Sequence, residues 1–239
     1  MHEFSVEEHA GLHVASGVEQ ITSRRHRYGH LAAAAGAVAL AAGLSMPAVA
    51  SPARAGEATV STILIKNVAA GTCLDANGDR VGNYGAIMQW EPCSPGDTFQ
   101  QWQPIQLGGA PDSGGGEQLV QFENVGATQA SKANGGPGLC LDAHAQQVYS
   151  GGAIIQYACD SSDLYQQWDL WAQAFLVPGG SRSYVSLANV GASLASEATG
   201  GPDLCLDANA SQVKSAGAII QYPCDGADNY QIWSSLAAS

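Results

Sequence analysis

Three aspartates, three aromatic rings and three glutamines recur at fixed spacing through the last two-thirds of the chain. Asp75, Asp142 and Asp207 each close a Cys-Leu-Asp triplet that begins at Cys73, Cys140 or Cys205. Trp90, Tyr157 and Tyr222 each stand 17 residues after that first cysteine. A second cysteine follows the ring, at Cys93, Cys159 and Cys224, and then a Gln-x-Trp triplet that begins at Gln100, Gln166 or Gln231. A carboxylate makes charge-assisted hydrogen bonds, a ring presents an apolar face, and a primary amide donates and accepts at once. These groups suit the binding of a neutral, hydroxyl-rich ligand. They offer little to covalent catalysis, since His144 is the only histidine after residue 50. With no Cys-x-x-Cys and one histidine, the pattern predicts no metal site.

The elements that carry these residues must repeat as well. The first cysteines lie 67 and 65 residues apart, so one supersecondary unit is used three times. In the third copy, extended segments fall at 184–190, 204–207, 218–222 and 230–233. They show period-2 alternation and are separated by Gly, Asn, Asp and Ser. No 3.6-residue apolar stripe stands out beyond residue 50. Four strands taken three times give twelve, an all-β globule with threefold pseudo-symmetry. Asn67 precedes Cys73 by six residues, whereas Asn124 and Asn189 precede Cys140 and Cys205 by sixteen. The second and third copies thus carry a ten-residue insert, at 127–137 and 192–202. Each ends in Gly-Gly-Pro and is expected to be a surface loop. The stretch 108–116, with five glycines, separates the first copy from the second.

The chain has 239 residues and a formal net charge of −12. Arg24, Arg25 and Arg27, the alanine-rich run 31–46 and the small-residue site Ala48-Val49-Ala50 follow the order of a secretory signal. The run is short for a span of about 20 residues. Ser23-Arg24-Arg25 leaves twin-arginine export open as the route. Residues 51–239 hold six Lys or Arg against 17 Asp or Glu, a net charge of −11. No basic stripe is present to hold a phosphate backbone, which argues against nucleic acid and anionic membranes. All six cysteines fall inside the repeats, and an even number in an exported chain implies disulfides. Six cysteines allow fifteen connectivities. The repeat singles out Cys73–Cys93, Cys140–Cys159 and Cys205–Cys224.

A Cys-Leu-Asp strand, a ring 17 residues on, a second cysteine and Gln-x-Trp, three times over, resemble the ricin B-chain type of β-trefoil lectin. Carbohydrate-binding modules on bacterial glycosidases share the motif. The resemblance covers residues 60–239 and implies twelve strands in three pseudo-symmetric lobes, one disulfide per lobe, six strands in a short barrel and six in a hairpin cap. It also implies a shallow sugar site in each lobe. Asp75, Asp142 or Asp207 would accept two adjacent hydroxyls, and Trp90, Tyr157 or Tyr222 would cover the C–H face of the sugar. Gln100, Gln166 or Gln231 would fix the aspartate or touch the ligand. Trp102, Trp168, Trp233, Leu74, Leu141 and Leu206 read as core. The chain departs from the family pattern at two positions. Phe99, Tyr165 and Tyr230 stand where sugar-binding lobes carry Asn. Met88, Ile155 and Ile220 stand where such lobes can carry Gln. Alternation points Gln89, Gln156 and Gln221 away from the ring. His144 takes the place of Asn77 and Asn209.

The expected organisation is a signal peptide at 1–50 with an extended leading region, a short linker at 51–59, and a lectin domain at 60–239. Its lobes run over 60–117, 118–182 and 183–239. The expected function is a secreted, extracellular, monomeric carbohydrate-binding protein. It would recognise neutral sugars or polysaccharide through up to three lobe sites, with no cofactor, no metal and no membrane span after signal cleavage. It is not expected to be an enzyme: the mature glutamates form no repeated pair, and no second domain exists to carry catalysis. The alternative is a β-trefoil protein-interaction or inhibitor module that acts through 127–137 and 192–202.

Overall fold

The indole of each Gln-x-Trp triplet needs an apolar setting and an acceptor for its N–H. A computed structural model describes residues 62–109, 118–177 and 180–238, and in it Trp102, Trp168 and Trp233 are fully buried. Each indole donates to the leucine carbonyl of its own Cys-Leu-Asp triplet, that of Leu74, Leu141 or Leu206, at 3.0, 3.2 and 3.1 Å. Those leucines are also fully buried, and with Ile87, Ile154 and Ile219 they belong to one core. Both sets are core residues, as the sequence predicted.

Among the described residues the chain forms fourteen strands and two α-helices. Lobe one holds β1 (Ile63–Asn67), β2 (Cys73–Asp75), β3 (Gly85–Ala86), β4 (Met88–Trp90) and β5 (Gln101–Gly109). Lobe two holds β6 (Gln118–Asn124), α1 (Val125–Ala133), β7 (Leu139–Ala143), β8 (Gly152–Ala158) and β9 (Trp168–Val177). Lobe three holds β10 (Gly180–Asn189), α2 (Val190–Glu197), β11 (Leu204–Asp207), β12 (Gly217–Ala218), β13 (Ile220–Pro223) and β14 (Trp233–Ala237). Antiparallel pairing runs β1–β5–β6–β9–β10–β14 and returns to β1. The ring of six strands is closed, and closure removes the free edge that an open sheet presents. Each lobe adds a hairpin, β2–β4, β7–β8 or β11–β13.

The hairpins meet through the Gly-Ala-Ile-x-Gln run of the repeat. Gly85-Ala86 pairs with Gln156-Ile155, Gly152-Ala153 with Gln221-Ile220, and Gly217-Ala218 with Gln89-Met88. Each lobe thus clasps the next in a closed triangle. The glycine is required, because a β-carbon there would run into the carbonyl of Arg80, Gln147 or Gln212. The buried glutamines complete the clasp across the lobe boundary. Gln89 donates to the carbonyls of Ala208 and Ala218 at 2.8 and 3.1 Å. Gln156 donates to Ala76 at 2.8 Å, and Gln221 to Gln147 and Ala153, both at 3.2 Å. Pointing away from the ring, as alternation required, they point into the neighbouring lobe.

The three cysteine pairs are those the repeat singled out, with sequence separations of 20, 19 and 19. Loops of that length stabilise by about 3 kcal/mol each on the chain-entropy account. Fourteen strands are formed where twelve were expected, because Ile87 and Ile219 interrupt the third strand of lobes one and three, whereas β8 is continuous. Two expectations need correction. The last strand begins at Trp233, after a 3-10 turn at Asn229–Gln231, and not at residue 230. The inserts are not loops and the fold is not purely β: α1 and α2 occupy much of 127–137 and 192–202. Asn124 and Asn189 cap them, accepting from the backbone N–H of Ala127 and Ala192 at 2.9 Å. Gly135 and Gly200 follow each helix at φ 75° and 81°, the left-handed geometry of a helix end. The signal peptide and linker readings lie outside the described residues. No described helix is long and apolar enough to cross a membrane.

Candidate functional site

Strand alternation places carboxylate and ring on one face of each hairpin. Cys73 lies opposite Trp90 and Asp75 opposite Met88. Cys140 and Asp142 lie opposite Tyr157 and Ile155, and Cys205 and Asp207 opposite Tyr222 and Ile220. Each aspartate is therefore the diagonal neighbour of its ring, about 7–8 Å away along the pleat. The two groups differ in depth. Trp90 and Tyr222 are 38% and 43% exposed, whereas the three aspartates are only 4–6% exposed. Met88, Ile155 and Ile220 stand between them, an apolar residue where the family pattern allowed an amide.

The aspartates are desolvated without a counter-charge. Burial pushes the carboxyl of Asp75 up to about 6. Asp97 adds to the rise, and hydrogen bonds from Gln100 and the Asn77 backbone oppose it. Asp142 also rises to about 6 through burial and Asp163, against a hydrogen bond from Gln166. Asp207 reaches about 6 through burial, with Gln231 and the Asn209 backbone opposing and Asp228 adding. No cation is among the groups that act on any of the three. Among the described residues, no cluster of His, Cys, Asp and Glu could hold a metal ion.

Gln100, Gln166 and Gln231 are almost fully buried beneath this face. Their side-chain oxygens accept from the backbone N–H of Ser94, Asp160 and Asp225 at 2.9, 2.9 and 2.8 Å. The Gln166 and Gln231 amides also donate to the carbonyls of Ala158 and Pro223, both at 2.9 Å. Each side chain also hydrogen-bonds its aspartate, Asp75, Asp142 or Asp207, and so ties the carboxylate to the segment after the second cysteine. Phe99, Tyr165 and Tyr230 are half-buried and pack against the core.

Sequence reasoning missed a second set of acids. Asp97, Asp163 and Asp228 each stand three residues before the Gln-x-Trp glutamine. Each accepts from the backbone N–H of the following aromatic residue, Phe99, Tyr165 or Tyr230, at 3.0, 2.9 and 2.9 Å. They cap the turn that brings the glutamine under the carboxylate. The signal was present, since the spacing is identical in all three copies.

The lobes are not equivalent. In lobe two, Tyr84 crosses from lobe one and meets Tyr157 edge-on, ring centroids 5.3 Å apart. A hydrogen bond to Tyr84 pushes the Tyr157 phenol up. Tyr84 also lies 5.5 Å from the ring of His144. With Asp142, Ile155 and Asp163 these residues line a cleft of about 200 Å³. His144 Nδ1 accepts from the N–H of Gln146 at 3.3 Å, the turn-capping role that Asn77 and Asn209 fill elsewhere.

No family model matches the chain, and no curated protein matches it in sequence. Solved structures do resemble it. A designed 3-fold symmetric protein, ThreeFoil, is 19% identical with a TM-score of 0.52; the match covers 73% of this chain and 97% of ThreeFoil. An exo-beta-1,3-galactanase from Clostridium thermocellum is 21% identical with a TM-score of 0.51, over 75% of this chain and 31% of the galactanase. The Rhizoctonia solani agglutinin is 16% identical with a TM-score of 0.45, over 82% and 99%. The first two likenesses show a shared fold.

Proposed function

We propose that the chain is a β-trefoil lectin of the ricin B-chain type, a secreted binding protein for neutral sugars or polysaccharide that carries out no catalytic step. On this reading β3–β4 and β12–β13 each count as one interrupted strand, which restores twelve. The observation that carries the proposal is the threefold pairing of a buried carboxylate, unopposed by any cation, with an aromatic ring on the same strand face. A buried carboxylate raised well above its ordinary value disfavours folding at neutral pH. Its repetition in every lobe is explained by a ligand whose hydroxyls take the place of the lost water. Paired hydroxyls suit one carboxylate, and the C–H face of a sugar suits the adjacent ring. One fold neighbour supports the sugar reading by name, an exo-beta-1,3-galactanase matched over 31% of its own length. The disulfides and the absence of a long apolar helix among the described residues are compatible with export. Weak single sites on one polymer would gain through effective concentration.

The test is a glycan and polysaccharide array probed with the purified, oxidised chain and with a reduced control. Selective capture of one neutral sugar class, lost on reduction, is the expected outcome. A silent array from folded, oxidised protein rules the proposal out.

A further inference from the structure

Tyr84 occupies a position where a tyrosine is costly. Its φ is 66°, in the left-handed region that bulky residues avoid. The threefold equivalents, each joined to the next lobe by the same backbone bond, are Gly151 and Ala216. The N–H groups of Tyr84, Gly151 and Ala216 donate to the carbonyls of Gln156, Gln221 and Gln89 at 2.9, 2.8 and 2.8 Å. Gly151 carries no β-carbon and suits positive φ, and Ala216 carries only one at φ 62°. The tyrosine therefore adds nothing that the turn needs. Its side chain is 56% exposed, so burial does not compensate the backbone strain. Its ring instead stands against Tyr157 and His144 in the second lobe.

We infer that lobe two holds a composite binding pocket for a single neutral sugar residue, in which Tyr84 of lobe one supplies a second aromatic wall opposite the Asp142 floor. This rests on the lectin reading above and assigns its principal site. The rings of the other lobes have Ala216 and Gly151 at the matching position, and so lie on open shelves. In lobe two, Tyr84 stands against both Tyr157 and His144, so the three rings form one continuous wall beside Asp142 in a cleft of about 200 Å³, on the scale of one sugar ring. The Tyr157 ring remains the stacking surface, and Asp142 accepts the hydroxyls.

The test uses the full chain with 13C-labelled tyrosine and tryptophan rings. It is titrated by NMR with methyl β-galactoside, methyl β-xyloside and methyl α-arabinofuranoside. The expected result is that one glycoside moves Tyr84 and Tyr157 together, at lower concentration than it moves Trp90 or Tyr222. Tyr84→Gly and Tyr84→Ala, which copy Gly151 and Ala216, should weaken the Tyr157 response at least tenfold. The Tyr222 response and the melting temperature should hold or rise. The inference falls, and the lectin reading stands, if Trp90 or Tyr222 saturates first, if only oligosaccharides move Tyr157, or if both variants bind as the parent does. If no glycoside or oligosaccharide moves any of these rings, both readings fall.

Discussion

Two sets of buried polar side chains lie one strand apart in this molecule, and they are treated in opposite ways. Gln89, Gln156 and Gln221 spend their amide protons on carbonyls of the next lobe and hold the hairpins in a closed triangle. Asp75, Asp142 and Asp207 have no cation, rise to about 6, and open toward exposed rings. A buried amide whose protons are taken by the next lobe serves the architecture, while a buried carboxylate that meets no cation in three successive repeats is, on the proposed reading, kept for a ligand. The contrast also separates two uses of the repeat: Gly-Ala-Ile-x-Gln builds the protein, and Cys-Leu-Asp with its ring presents a surface.

The largest effect should come from breaking the clasp. Gln89→Leu leaves the carbonyls of Ala208 and Ala218 and the hydroxyl of Thr72 without their partner. It should cost about 2–4 kcal/mol in urea unfolding. Gln156→Leu should cost about 1 kcal/mol less, because the Gln156 side-chain oxygen is itself unpartnered. A loss below about 0.5 kcal/mol for both variants would show that the clasp is not held by these bonds.

The aspartates should give a pH dependence of opposite sign for folding and for binding. Their folded carboxyls titrate near 6, above the ordinary 3.8, so their contribution to stability is fully present below about pH 4. It is lost as pH rises through 6, on the order of 2 kcal/mol per group. Sugar binding needs the charged form and should fall as pH drops through 6. Calorimetric melting and sugar titration between pH 4 and 8 check both trends. Parallel trends would refute the contrast.

A smaller effect should come from Thr72. Its hydroxyl donates to the Gln89 side-chain oxygen at 3.1 Å, but Leu139 and Leu204 fill that position in the other lobes. The Gln156 and Gln221 oxygens are correspondingly unpartnered. Thr72→Val should make lobe one like the others, at a cost of about 1 kcal/mol in urea unfolding. No loss would mean that the amide does not need this partner.

The repeat itself made the lobes, the cysteine pairing, the buried tryptophans and the outward turn of the ring legible, because each depends on spacing within one copy. The helices were not legible for a physical reason. Their buried faces are Gly126, Ala127 and Thr128 in α1, and Val190, Gly191, Ala192 and Ser193 in α2, mostly too small to mark an apolar stripe. The small residues allow close approach, since a β-carbon on Gly126 or Gly191 would strike the turn at Thr98-Phe99 or Leu164-Tyr165. Nor was Tyr84 legible as part of lobe two. It belongs to the first copy in sequence, and only the clasp between lobes carries it to Tyr157. The positions of Gln100, Gln166 and Gln231 followed from the motif, but their near-complete burial did not.

The most direct test of the central claim replaces all three carboxylates without changing their shape. The Asp75→Asn, Asp142→Asn and Asp207→Asn triple variant should bind no sugar on the array at pH 7.5. It should melt at or above the parent temperature, because it removes three desolvated charges. Retained sugar capture, or a variant that melts well below the parent, would contradict the account, since the aspartates would then serve the fold and not a ligand.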